Sequence, residues 1–200
     1  MEKDKIERRK KLLAVLLFLI KLNLFAIPLY ILLYLDFSFY PLQNFLAFSI
    51  SSALSLLKFS VGGEGKYIYI FLENNGSYKI ITFDISMDCT GWKSMYLLCA
   101  LVFACSFDLR KNLKFLIFAL PLLFFINFLR IFSTLLISLT FGFEHFEITH
   151  NFLWREGMLF FVLLLWYLWL RKTKYNLKDN LILVDKIAGR FRIGKNKEKD

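Results

Sequence analysis

Apolar residues in this chain come in long runs separated by short polar stretches, and one region breaks that rhythm. The runs Leu12–Leu35, Phe115–Leu139 and Phe152–Leu170 have the roughly 20 residues that a helix needs to cross a bilayer. Trp92–Phe107 reaches that length when counted from Asp88. The first run carries Lys21, Asn23 and Pro28, and the proline predicts a kink. The last run ends in Trp166, Tyr167 and Trp169 before Arg171-Lys172, the aromatic and basic flank of a span at an interface. A fifth run, Leu42–Ser60, is weaker, because it holds Gln43, Asn44, Lys58 and five serines.

After the fifth run the period shortens to two. Tyr67–Leu72 and Tyr78–Phe83 are β-branched and aromatic, and Glu73-Asn74-Asn75-Gly76-Ser77 joins them. An Asn-Gly step between such runs predicts a hairpin. Open strand edges are not satisfied in lipid, so residues 61–86 are expected outside the bilayer on one face. Asn75-Gly76-Ser77 is a glycosylation sequon, weak support for an external face. The pattern therefore predicts a mainly α, polytopic transmembrane bundle of about four to five spans with a small external β-hairpin near 66–83. Residues 1–170 form the bundle, and 171–200 form a basic cytoplasmic tail with the apolar patch Leu181–Val184.

Composition and charge sharpen this. Apolar residues are 58% of the 200, aromatics 18%, with 24 Phe and a net charge of +10. Soluble domains run about 45–50% apolar. The charge sits at the ends: residues 1–11 carry +3, residues 171–200 carry +6 and the middle only +1. That excludes a disordered chain, a secreted disulfide framework and an ordinary soluble enzyme, and it favours a positive-inside membrane protein over a nucleic-acid binder. The first run is too long for a cleavable signal peptide, and no small-residue cleavage site follows it. Residues 108–114 and the tail from Arg171 are basic and read as cytoplasmic. Residues 141–150 hold Glu144 and Glu147 without Lys or Arg and read as external. Five full spans would put the termini on opposite sides. Either Leu42–Ser60 is a partial or interfacial helix, or the basic N-terminus breaks the charge rule.

Three groups stand out chemically. Arg130 is the one charge in Phe115–Leu139, about 22 Å from the inner end at 1.5 Å per residue. At that depth it needs a partner or a polar cavity. Asn127 and Thr134 share its helix face. The competing reading is a structural arginine reaching the outer surface. Cys89 lies where the hairpin gives way to the next span, in the expected first turn of a helix whose positive end lowers a thiol pKa. Asp88 opposes that, so a nearby cation is required; the competing reading is an inert thiol. Cys99 and Cys105 fall inside an apolar run as ordinary buried thiols. The two histidines, His145 and His150, lie in the external stretch before the last span. A thiol, an imidazole and a guanidinium at one height make an acyl-transfer site plausible. Two histidines and one exposed cysteine make no convincing zinc set, and no metal or cofactor is expected.

These residues carry a resemblance. Cys89-Thr90-Gly91 at the head of one span, Asn127-Phe128-Leu129-Arg130-Ile131 inside the next, and His150 with Gly157 opening the last resemble the exosortase/archaeosortase family of membrane transpeptidases, over roughly residues 85–170. Gly91-Trp92 followed by Lys93 is similar to the archaeal branch. The resemblance implies a cysteine peptidase/transpeptidase in the cell membrane, facing outward. Its partners would be secreted proteins with a C-terminal motif, hydrophobic helix and basic tail. Cys89 would form a thioester, His150 (or His145) would be the general acid/base, and Arg130 would stabilise the thiolate or oxyanion. Asn127, Thr90 and Gly91 would contact substrate, and a membrane-lipid amine would be the acceptor.

The alternative function is a non-enzymatic membrane carrier component, with Arg130 binding an anionic small solute. Phe83 precedes Cys89 by six residues, at most about 20 Å of extended chain, so the hairpin either adds the recognition motif as a strand or simply caps the bundle.

Overall fold

The computed structural model describes residues 2–74, 77–105, 108–142 and 157–173. Five helices make up most of it: α1 (Glu2–Tyr34), α2 (Tyr40–Leu56), α3 (Trp92–Cys105), α4 (Leu109–Phe141) and α5 (Met158–Lys172). Strands β1 (Val61–Glu64), β2 (Tyr67–Asn74) and β3 (Ser77–Asp84) form one antiparallel sheet in that order. A 3-10 turn, Met87–Thr90, leads from β3 to α3.

All five apolar runs are helical over most of their described residues, and Leu42–Ser60 leaves the helix after Leu56. By length and composition, two of the described helices suffice to cross a bilayer, Lys11–Tyr34 within α1 and the whole of α4; α3 is a shorter apolar helix. The expected four to five spans are thus matched at this level by two. α1 continues through Pro28 and stays on the outside of the bundle, with Ala14 buried. It is tied to α3 by the Tyr96 hydroxyl, which donates to the Phe25 carbonyl.

The weak fifth run has its own logic. α2 starts with Pro41 in its first turn, where a missing N–H costs nothing. Its buried residues Gln43, Leu46, Ala47, Ile50, Ser51 and Leu54 follow the i, i+3, i+4, i+7 stripe of an amphipathic helix. That stripe packs on the sheet through Ile68 and Ile70 of β2, and Leu135 from the second half of α4 closes the same core. A separate core joins α3, the first half of α4 and α5 through Leu98, Val102, Leu123, Val162 and Trp169. α4 is the element the two cores share.

The two-stranded hairpin expected near 66–83 is corrected to a three-stranded sheet. β1 pairs with β2 from Val61↔Ile70 to Glu64↔Tyr67, so one hairpin edge is already occupied. The register identifies the open edge. Phe71 N–H donates to the Ser60 carbonyl, so the odd residues of β2 bond towards β1 and the even ones towards β3. With Ile70 opposite Ile81 and Phe71 opposite Ile80, β3 turns the backbone of Ile80 and Thr82 outward and that of Ile81 and Phe83 inward.

β1 was hidden because Val61-Gly62-Gly63-Glu64 lacks the side chains that mark a strand. Gly63 is needed for closeness: a Cβ there would lie 2.5 Å from Ser51 Oγ on α2. We expect Gly63→Ala to cost about 1–3 kcal/mol by overpacking, read as a lower thermal midpoint in detergent. Ser51→Ala on top should recover part of it; no recovery would mean that the sheet does not seat on α2 at Gly63.

Candidate active site

The segment that carries Cys89 is short and held at both ends by buried amides. At its start, Gln43 Nε2 on α2 donates to the Ile85 carbonyl at 2.8 Å, and Ser38 Oγ donates to Gln43 Oε1 at 2.9 Å. At its end, Asn127 Nδ2 on α4 donates to the Cys89 carbonyl at 2.8 Å. Gln43 is 2% exposed and Asn127 is not exposed at all, so both amides are withdrawn from water, where a polar group without a partner is costly.

Between these anchors the backbone folds into the 3-10 turn. Cys89 N–H donates to the Ser86 carbonyl at 3.0 Å, and Thr90 Oγ1 donates to the Met87 carbonyl at 2.7 Å. Gly91 then takes φ +76°, in the left-handed region, and α3 starts with Ser94 and Met95 bonding to the Gly91 carbonyl. The expected place of Cys89, the first turn of α3, is therefore corrected: a separate turn carries it, and Gly91 stands between. A glycine is required twice over. Its φ disfavours any side chain, and a Cβ would lie 2.9 Å from the Asn127 side-chain carbon.

Cys89 is a free, half-buried thiol with Ser86 Oγ 3.3 Å away. It lines a cavity of about 250 Å³ with Phe83, Asp84, Ile85, Arg130, Thr134 and Leu135. Two residues 41 positions apart, Cys89 and Arg130, thus meet at one cavity between the end of β3 and α4. The Asp88 charge that opposed a thiolate is met by Lys93, whose Nζ lies 2.8 Å from Asp88 Oδ1. Asp84, at the rim, is paired with Lys66 at 2.8 Å, and this bond raises the Lys66 pKa. Cys105 is buried in the other core, and Cys99 packs against that core.

Of the three residues expected to contact substrate, Thr90 and Asn127 have no exposed surface and Gly91 is buried. Their contacts are those of supports for the Cys89 turn. Thr134, read as part of the polar stripe of α4, donates to the Arg130 carbonyl at 2.8 Å. His145 and His150 lie outside the described residues. Among the described residues no cluster of three His, Cys, Asp or Glu could hold a metal. Sequence reading missed two residues. Ser86 had only its spacing from Cys89 as a signal. Gln43 had a better one, as a long amide on the apolar stripe of α2.

Residues 9–170 match the model of the family described as Transmembrane exosortase (Exosortase_EpsH). Neither a curated protein nor a solved structure matches the chain.

Asn127→Ala should cost about 1–3 kcal/mol by leaving the Cys89 carbonyl unmet. Gly91→Ala should cost at least as much, from left-handed strain of about 1–2 kcal/mol plus the overlap with Asn127. Because both act on one contact, the double variant should lose less than the sum. Thermal midpoints in detergent measure this; strict additivity would mean that the two residues do not share it.

Proposed function

This chain belongs to the transmembrane exosortase family, and on that premise we propose that it is an outward-facing cysteine transpeptidase of the cell membrane, of the archaeal type suggested by Gly91-Trp92-Lys93. Membership carries a transpeptidase role in general and action on secreted proteins with C-terminal sorting signals. The observation that supports the reading most is the shared cavity of Cys89 and Arg130.

In this proposal the Cys89 thiolate attacks the carbonyl carbon of the peptide bond near the sorting motif. The guanidinium of Arg130 stabilises first the thiolate and then the oxyanion of the tetrahedral adduct, where fixed positive charge in a low-dielectric site is most effective. The leaving amine takes a proton from His150, or from His145, and the acyl group stays on sulfur as a thioester. An amine, on a membrane-lipid headgroup, then attacks the thioester while the same imidazole accepts its proton, and the thiolate is regenerated. Thr90, Gly91 and Asn127 act as positioning residues for the Cys89 turn.

The topology proposed has α1, α3, α4 and α5 crossing the membrane. α2 packs with the sheet as an external head. Both basic ends then fall in the cytoplasm, and the conflict between five runs and two basic termini disappears. The recognition motif adds as a fourth strand on the open edge of β3, which leads into the cavity at Phe83 and Asp84. The main-chain groups of Ile80 and Thr82 point away from β2 and match an extended peptide.

Cys89→Ala should abolish processing of a native sorting signal, while Cys99→Ala and Cys105→Ala should retain it. Cys89→Ser should be nearly inactive, because a hydroxyl is far harder to ionise. Arg130→Lys should lower turnover by about a hundredfold or more, since an ammonium lacks the planar fork. Full activity in Arg130→Ala at normal expression would remove its role. Iodoacetamide labelling of intact cells separates the readings. Rapid labelling of Cys89 supports the enzyme, and an unreactive Cys89 in a protein that binds small anions through Arg130 supports a carrier component.

The sheet makes its own prediction. Thr82→Pro removes an outward N–H and should lower turnover with the fold intact, whereas Ile81→Pro removes a paired N–H and should lower expression. Unchanged processing in folded Thr82→Pro and Ile80→Pro would show that the sheet is a cap.

A further inference from the structure

The opposite end of α4 carries a second feature. The first turns of α4 and the last turns of α5 border a groove of about 790 Å³. Its floor is Trp169, 1% exposed, and Ala119, 3% exposed; its outer wall includes Phe118, 78% exposed, and Leu122, 47% exposed. Three lysines, Lys111, Lys114 and Lys172, stand along the groove, all with exposed side chains. Arg110 and Arg171 flank them, and Asp108, paired with Lys111 at 2.9 Å, is the one acid in the described stretches 108–114 and 171–173. From Lys114 to Arg130 is about 24 Å along the helix, so this groove is separate from the cavity of Cys89.

We propose that this groove binds a phospholipid with an anionic headgroup, its acyl chain along Phe118 and Leu122 and its phosphate among Lys111, Lys114 and Lys172. Two properties select that ligand together. The exposed aromatic wall faces where hydrocarbon lies if α4 crosses the bilayer, which suits an acyl chain and gives a soluble anion nothing to bury. The lysines select negative charge and repel both a basic peptide tail and the chain's own basic residues 174–200. Basic pockets between spanning helices on the cytoplasmic side take anionic headgroups in this way. The inference rests on α4 and α5 crossing the membrane and not on any role of Cys89.

The test uses full-length protein carrying Cys89→Ala, so that processing cannot influence the result. It is reconstituted in nanodiscs of equal parts phosphatidylcholine and phosphatidylglycerol, extracted in mild detergent, and its retained lipid measured by native mass spectrometry. We expect phosphatidylglycerol to be retained over phosphatidylcholine. The triple variant Lys111→Gln/Lys114→Gln/Lys172→Gln, with an unchanged thermal midpoint, should lose that preference by on the order of tenfold, with Lys111 contributing least because it already meets Asp108. Inorganic phosphate should leave the bound lipid in place. Equal retention of both lipids, or an unchanged preference in the triple variant, overturns the proposal. Displacement by phosphate alone reassigns the lysines to a soluble anion. Cross-linking from Phe118→Cys into residues 174–200 of the same chain, with no lipid retained, reassigns the groove to the tail.

Discussion

Two side-chain amides hold the candidate site in place. Gln43 grips the Ile85 carbonyl and Asn127 the Cys89 carbonyl, each at 2.8 Å. A hydrogen bond of this kind adds only about 0.5–1.5 kcal/mol net, but a buried carbonyl left unmet costs about 1–3 kcal/mol. The bonds therefore act mainly by excluding other positions of the turn. Their origins matter as much as their strength. One comes from the amphipathic helix under the sheet and the other from the longest helix, so the turn can form only when sheet, α2 and α4 have all assembled. Asn127 accepts a further cost. Its Oδ1 is buried without a hydrogen-bond partner among the described residues, so the amide works here as a donor.

The long helix explains how distant residues come together. α4 has 33 residues, about 50 Å, against roughly 30 Å of hydrocarbon in a bilayer. Its N-cap is Asp108, whose side chain accepts from Lys111 N–H; the side-chain bond with Lys111, and then this backbone bond, lower the Asp108 pKa. Its first half belongs to the core of α3 and α5, and its second half to the core of the sheet. One continuous helix, with Pro121 in its interior, thus carries Lys111 and Lys114 at one end and Asn127, Arg130 and Thr134 towards the other.

Much of this was legible in the sequence, for reasons that can be named. Long apolar runs mark helices whatever their tertiary setting, and the alternation around Asn75-Gly76 marked β2 and β3. Cys89 and Arg130 stood out because a thiol at a strand–helix junction and a lone charge in an apolar helix both need an explanation. What was not legible depends on contacts between distant segments. β1 has no pattern, and it is a strand because Gly63 lets it approach Ser51. Gln43 read as a flaw in a weak span, and its use appears only with Ile85 beside it. Gly91 gave no warning that it would separate Cys89 from α3, since a glycine near a helix start is compatible with either conformation. The histidines fall outside the described residues, so their relation to Cys89 stays a matter of chain order.

Gly91 also has a mechanical side. A helix that runs straight into a reactive residue transmits its tilt to that residue, and membrane helices tilt as bilayer thickness varies. Here the left-handed residue ends the hydrogen-bond ladder of α3 before Cys89. α3 is short, 14 residues, and it packs with α1, α4 and α5. The turn instead rides with α2 and α4 through its two amide anchors. Gly91 thus separates the two: the Cys89 turn takes its place from its anchors on α2 and α4, and α3 begins its own ladder after it.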